Sequence, residues 1–536
     1  MGILAAIAVG SWPALLHAQS VLHGVVRDAE SSMPVADARI SVLDSMGRVP
    51  VTVASDARGR FAARLPSAGL YTVVVARIGY FPDTLQSVRV ILERRLDVAL
   101  RAGAVVLPPI EVVSRPVAGE LASPVLHRTR SRLKLVPAAA GIEDPVRALG
   151  LEPGVALANP YSARLTVRGS APSELGFFVD GFPILNPAQL GGTFSAIPAS
   201  AVSGVTLWGT AAPFRLSGSS GGVVDVSTTP ALGRGFEADA GLNVLASDAA
   251  LRFSSDDRAA IATAARYSWF PATLEDRSER DEFSLSDYLL SVSVAPTRRA
   301  RAFGMAFRSA ESRGDVDFGT GTQRRVGNYH RWGRTLGAGF ELSLSDRSSV
   351  SARAWDARAR AGGERLELAS LEAVDSSTMR DQGALIEATS VTGKVQWTIG
   401  AKVANLSAST DARFTTFLGE LDAGALRTGS TRTVTSVHIA SGWQLGAGTL
   451  LDAGAAAVFD GGTVGLEPTL AAQVQLSPAV QVFGSASSRT QHLFQLTDPR
   501  SRPWASFSVV DVWAVAGDGA DVGNHPARTT EFTTGA

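Results

Sequence analysis

The chain has 536 residues, with 50 Lys and Arg set against 50 Asp and Glu, so no broad positive field for nucleic acid exists. It contains no cysteine, which excludes disulfides, thiolate zinc sites and cysteine nucleophiles and suits passage through an oxidising compartment. Charged residues make up 19% and there are 53 glycines, a composition of neither a disordered chain nor a coiled coil.

Residues 1–18, "MGILAAIAVGSWPALLHA", hold a short apolar run at 3–9 and small residues toward Ala18. That pattern predicts a secretory signal cleaved near Ala18, although no Lys or Arg precedes the apolar run; a buried N-terminal helix is the alternative. No later segment supplies the ~18 consecutive apolar residues of a membrane helix, so any membrane location must rest on strands.

Residues 20–103 predict a small β-sandwich: "VLHGVVRD", "ARISVLD", "VPVTVASD", "GRFAARLP" and "GLYTVVVARIGY" recur at even spacing between Pro, Gly and Asp. An Asp-x-x-Gly-x-Phe turn at 56–61 followed by Gly69 and the Tyr71-Thr72 strand resembles the carboxypeptidase regulatory-like family. That resemblance implies a transthyretin-like sandwich without catalytic activity.

A linker at 104–129 follows, in which Pro108, Pro109 and Pro116 prevent a continuous helix or ladder. Inside it Ile110, Glu111, Val112, Val113 and Ser114 form an extended apolar patch. Such a segment can add as a strand to a partner's sheet edge, or it can be a plain linker strand.

Residues 130–229 are rich in Gly, Pro and Ser. "EDPVRALGLEPGV" predicts a short helix ended by Pro-Gly, and "FFVDGFPILNP" predicts a tight hairpin, because Asp180 and Gly181 can both take positive φ. The blocks Val136-Pro137, Glu143 to Leu149, Pro153-Gly154-Val155, Val167-Arg168-Gly169-Ser170, Val179-Asp180-Gly181-Phe182-Pro183 and Gly218 to Val226 occur in the order of the plug domain of TonB-dependent outer-membrane receptors. The region resembles that plug, a small mixed α/β domain carried inside a barrel.

The resemblance implies several further things. The segment 110–114 stands where such receptors carry the box that pairs with TonB, although Ser-Arg-Pro follows Val-Val where Thr-Ala or Thr-Gly is common. Arg168 is expected to meet barrel carboxylates, with a solvated Arg as the alternative, because a lone buried charge costs several kcal/mol. Asp180, Gly181, Gly221 and Gly222 are expected to be turn geometry. Asn159, Tyr161, Asn186 and Gln189, in "LANPYSA" and "NPAQLGGTFSA", are the candidates for apical ligand loops.

From 231 to 536 the chain reads as hairpins. "TLGAGFELSL" puts Leu336, Ala338, Phe340, Leu342 and Leu344 on one face, and "TLAAQVQLS" puts Leu470, Ala472, Val474 and Leu476 opposite Gln473 and Gln475. Short turns alternate with long polar loops at 271–284, 309–328, 361–381 and 412–431, which is the loop parity of an outer-membrane barrel. A plug of this size implies a barrel of about 22 strands, whereas about thirteen strand-like runs are legible. The sequence therefore predicts an incomplete antiparallel transmembrane β-barrel, with 488–528 a long loop and an ending, "EFTTGA", that lacks the aromatic terminus usual in such barrels.

Catalysis finds little support. The seven His residues form neither His-x-x-Glu nor His-Glu-x-x-His, and Ser220 in "GSSGG" lacks a strand-to-helix elbow. The expectation is a mainly β receptor in the outer membrane, with its N-terminal domain in the periplasm and no cofactor or metal. Its expected partners are TonB, outer-membrane lipid and a scarce small nutrient, such as an iron chelate, a vitamin or an oligosaccharide. A regulatory-like domain ahead of a plug is common among glycan importers, which favours the oligosaccharide. The alternative is a surface adhesin or scaffold that retains a plug.

Overall fold

In the computed structural model the described residues are 20–29, 31–44, 51–77, 80, 83–101, 125–129, 143–157, 163–189, 192–228, 235–243, 246–255, 258–268, 283–313, 316–317, 325–326, 329–367, 371–416, 422–446, 448–477, 480–496, 512–516 and 526–535. The chain divides into two units, Met1–Ile110 and Glu111–Ala536. The expected signal at 1–18 and the segment 110–114 lie outside the described residues.

The first unit is a sandwich of two sheets. In one, Ser20–Asp28 pairs antiparallel with Arg60–Leu65 and parallel with Glu93–Arg95 and Val98–Leu100. In the other, Val51–Ala54, Arg39–Leu43, Gly69–Ala76 and Asp83–Val90 are neighbours in that order. Along Arg60–Leu65, Phe61, Ala63 and Leu65 are buried while the residues between them are exposed, which is the period of a strand covered on one face. Leu22, Val26, Ile40, Val42, Val73 and Val75 complete the core, each stabilising the sandwich by about 1.5–3 kcal/mol when fully buried.

The predicted turn at 56–61 is held by one carboxylate. Asp56 Oδ1 accepts from the backbone N–H of Arg58 and of Arg60, both at 2.8 Å. The bond from Arg60 is the main reason its pKa lies below the ordinary 3.8. A carboxyl depressed in the folded state contributes stability above its unfolded pKa, and that contribution is lost as pH falls through the folded value. Residues 20–101 are therefore expected to melt lower as pH drops below about 4. Asp56→Asn should flatten that acid limb in a series of melts from pH 7 to 3; an unchanged limb would place the acid lability elsewhere.

The second unit has a five-stranded plug sheet in the order Phe182–Pro183, Leu175–Val179, Gly222–Ser227, Gly204–Trp208, Val125–Thr129. Leu175–Val179 runs parallel to Gly222–Ser227, and the other pairs are antiparallel. The central strand, Gly-Val-Val-Asp-Val-Ser, is largely buried, and its nearly continuous apolar run is what burial on both faces requires. The expected helix at 143–155 is a 3-10 turn, Arg147–Leu151, whose start is capped by Asp144 Oδ1 accepting from Val146 and Arg147 N–H. Pro145 before it and Pro153-Gly154 after it leave no room for a longer helix.

Around the plug stands a wall of fourteen antiparallel strands, consecutive in chain order from Gly235–Leu242 to Ala527–Gly535. Among the described residues no pairing joins those two end strands. The outer face is apolar as predicted: Leu336, Phe340, Leu342 and Leu344 are exposed on one strand, and Leu466, Leu470 and Leu476 on another. At one end of the wall successive strands are joined by two to four residues, at 256–258, 298–299, 346–347, 393–394, 445–448 and 478–479. All the longer connections are at the other end.

Two expectations are corrected here. The stretches 361–381 and 412–431 are not long loops, and residues 309–313 of the stretch 309–328 continue the strand Ala300–Arg313. Ser348–Glu367 and Leu371–Thr392 stay paired to Glu367↔Leu371, and Val395–Thr416 and Asp422–Gln444 stay paired to Thr415↔Asp422. Residues 488–528 are not one loop cut before a strand, because Ala527–Gly535 pairs with Val480–Gln491 as the fourteenth wall strand. Both errors took polarity for loop, whereas a ladder needs only backbone donors and acceptors and holds with polar residues on both faces.

Candidate functional site

The plug meets strands along the whole wall, from Arg252 on the second strand to Glu531 on the last, so the wall wraps around it. The hairpin at Asp180-Gly181 is one anchor. Its two central residues have φ of 50° and 77°, the conformation that Asp-Gly supplies in a tight hairpin. Asp180 accepts from Thr228 N–H and Oγ1 within the plug, and from Ser291 Oγ of the wall at 2.9 Å. Gly181 N–H donates to Asp225 Oδ1 at 3.2 Å. A Cβ on Gly181 would fall 2.1 Å from Arg353 Nη1, the movable end of a long side chain, so it is the positive φ rather than the contact that asks for glycine here.

The apolar arm of that hairpin fills the seam. Phe182 is 0% exposed, and its ring lies 6.1 Å from that of Phe303 on the wall. It presses on Gly337, where a Cβ would sit 2.4 Å from the ring. Thr335 Oγ1, two residues along the same wall strand, donates to Pro183 O at 2.8 Å. So apolar a hairpin is folded beside Gly-rich turns because it forms the dry contact between plug and wall.

Arg168 makes a second anchor on a different sector. With φ of 51°, it sends Nη1 to Glu531 Oε1 at 2.6 Å and to Thr533 Oγ1 at 3.1 Å. The other carboxylate oxygen of Glu531 accepts from Thr210 N–H of the plug at 3.1 Å. Gly169 continues the turn at φ 87°. Gly221 packs on Ser170, 2.5 Å from where its Cβ would be, and Gly222 opens the central plug strand, so the two plug blocks lie side by side. Ser220 Oγ donates to Gln491 Oε1 at 2.9 Å, an amide that cannot take up its proton.

Asn186 and Gln189 do not stand at an open apex. They are 2% and 1% exposed; Asn186 lies against Gly333 of the wall, and Gln189 Nε2 donates to Asp287. Gln189 thus meets a wall carboxylate through its amide nitrogen, while the side-chain oxygens of both residues have no hydrogen-bond partner among the described residues. Asn159 and Tyr161 lie outside the described residues.

The sequence reading missed the wall's inward charges. Arg266 donates to Asp287 Oδ2 and to Ser195 O of the plug, Lys402 Nζ to Ser217 O at 2.7 Å, and Arg489 Nη2 to Ala212 O at 2.8 Å. A signal was available: each is a charged residue at the inward phase of an otherwise alternating strand. Between the plug and the wall, a cavity of about 170 Å³ is bounded by Phe177, Met379, Asp381, Lys402, Glu467 and His492. It mixes apolar surface with charges of both signs, and it is smaller than the several hundred Å³ usual for a ligand pocket.

Residues 21–101 match the carboxypeptidase regulatory-like domain family. By sequence, the chain matches none of the curated proteins. Among solved structures, the ferric yersiniabactin uptake receptor FyuA from Yersinia pestis aligns with a TM-score of 0.54 at 13% identity, over 72% of this chain and 67% of its own. The unliganded ferric citrate transporter FecA aligns at 0.50 and 11% identity, over 70% and 64%. A mutant of the ferric enterobactin receptor PfeA from Pseudomonas aeruginosa aligns at 0.50 and 14%, over 71% and 65%. The chain spans about two thirds of the length of these receptors. Identities this low establish a shared fold. The chain carries a regulatory-like domain followed by a plug and strand wall that share the fold of these solved receptors.

Proposed function

We propose that the protein is an outer-membrane receptor that binds a scarce nutrient outside the cell and admits it to the periplasm with energy delivered by TonB. The observation that carries this reading is the plug itself, a five-stranded domain tied by side-chain hydrogen bonds and an ion pair to the wall around it. An adhesin or scaffold needs the wall and its outer loops but has no use for a domain that fills the lumen. Nothing in the sequence resembles a nucleotide-binding loop, so opening the path takes work from a partner. The apolar outer face of the wall is the membrane surface, and the end with the longer connections faces outward. The solved relatives are named for ferric chelates. Ligand class is read from transcript levels, with induction by low iron favouring a chelate and induction by polysaccharide favouring a glycan. Uptake of the inducing nutrient should require TonB, and uptake that persists without it would overturn the proposal.

The segment from Ile110 to Ser114 is assigned as the TonB-pairing box. Val112→Pro removes one backbone donor from a pairing built on main-chain hydrogen bonds. Uptake is expected to fall at least about tenfold, the effect of losing roughly 1.4 kcal/mol of pairing, while surface expression and ligand binding stay unchanged. Normal uptake by the variant would move the box elsewhere.

A further inference from the structure

On the outer face of the wall, cross-strand pairing lines up four arginines on four adjacent strands. Arg308 is opposite Arg334, Arg334 opposite Arg358, and Arg358 opposite Arg380. Like charges directly opposite destabilise a sheet, and one carboxylate serves most of this row. Asp356 accepts from Arg358 Nε at 2.9 Å and Arg380 Nε at 3.0 Å, with Arg334 Nη2 at 3.8 Å. Arg308 has no partner among the described residues. Arg360, exposed one step further toward the long connections, adds a fifth positive charge.

The height of the row is as informative as its charge. On the strand Tyr329–Ser345 the outward positions run Arg334, Leu336, Ala338, Phe340, Leu342, Leu344. Ten residues at about 3.3 Å rise and about 40° tilt cover roughly 25 Å, the height of the apolar band of a membrane barrel. Arg334 therefore stands at the edge of that band, on the side of the long connections. Tyr288, opposite Arg308, and Trp332, two residues from Arg334, sit at the same level. Together these side chains border a groove on the outer face that contains Arg308, Arg334, Tyr288, Trp332 and Leu336. Aromatic side chains at the rim of the apolar band are interfacial anchors. Guanidinium groups in a row bind phosphate oxygens in pairs.

We infer that this arginine row is a binding site for the phosphate of a lipid headgroup in the outward-facing leaflet. The acyl chains of that lipid lie on the apolar face below, at Leu336 and Phe340. A phosphate supplies the negative charge that Asp356 alone does not, which accounts for a row of like charges that has no other acidic partner among the described residues. The inference rests on the reading of the outer face as membrane-facing.

The test uses the full chain in dodecyl maltoside micelles doped with phosphatidic acid, phosphatidylcholine or no lipid, with inorganic phosphate as a separate arm. Phosphatidic acid is expected to raise the melting temperature by roughly 3–6 °C, and phosphatidylcholine and inorganic phosphate by less than about 1 °C. Arg334→Gln/Arg380→Gln should lose most of that rise. Arg308→Gln, which breaks no described contact, should lower phosphatidic acid affinity about three- to tenfold while melting no lower than the parent without lipid. No rise, an equal rise in the variants, or an equal rise with inorganic phosphate alone would each overturn the lipid assignment. A chain that stays in solution without detergent would instead overturn the membrane reading beneath it, so the two failures are distinct.

Discussion

Replacing Arg168 by Glu is expected to release the plug from the last wall strand while the wall stays folded. The Arg168–Glu531 contact is short, at 2.6 Å, and its side chains are only 28% and 17% exposed. Two facing carboxylates there would leave Glu531 with Thr210 N–H and Thr533 Oγ1 as its remaining donors. Breaking one side of a largely buried pair costs about 3–5 kcal/mol, reduced here by partial solvent access to about 2–4. The expected readouts are faster proteolysis within the plug and a lower first melting transition in detergent. The double reversal Arg168→Glu with Glu531→Arg should recover most of the loss. A lone reversal that leaves plug proteolysis unchanged would show that the pair is not an anchor.

Phe182→Ala is expected to have the larger effect. The ring is fully buried in a core whose members come from both plug and wall, and truncating such a Phe costs about 3–5 kcal/mol. Gly337 and Phe303 are on paired wall strands that cannot collapse into the space, because each is fixed by ladder bonds on both sides. Hydrogen exchange should quicken in Leu175–Val179 and Gly222–Ser227 while the wall strands keep their protection. Phe182→Leu should cost less than half as much. Uniform loss of protection across plug and wall would mean that the two fold as one unit, against the view of the plug as a body held by discrete contacts.

Much of this architecture is legible before any coordinates. The sandwich strands announce themselves through alternation bounded by Gly and Pro, and the Asp180-Gly181 turn through its residue pair. The strand Tyr329–Ser345 is legible through its apolar outward face. The contact points are less so. Arg168 reads as a charge in need of a partner, but its partner is Glu531, 363 residues away, in a segment whose polar sequence hides a strand. Asn186 and Gln189 mislead in the opposite direction, because a polar side chain inside the wall can be buried, as Gln189 is against Asp287, as readily as it can mark a surface. The tall hairpins were missed for a related reason. Beyond the apolar band both faces of a strand meet water, and the alternation that reveals a strand disappears.

Those hairpins give the wall an uneven rim. The strands Ser348–Glu367, Leu371–Thr392, Val395–Thr416 and Asp422–Gln444 have 20, 22, 22 and 23 residues, against 10 in Ala259–Ser268 and 12 in Thr449–Asp460. The short turns hold all of them level at one end, so the extra ten or so residues rise as a one-sided parapet of about 25 Å. In the proposed orientation these four strands carry paired backbone farther outward than their described neighbours, so a body as large as an antibody or a phage tail that lands on this sector meets a rigid ladder rather than a turn.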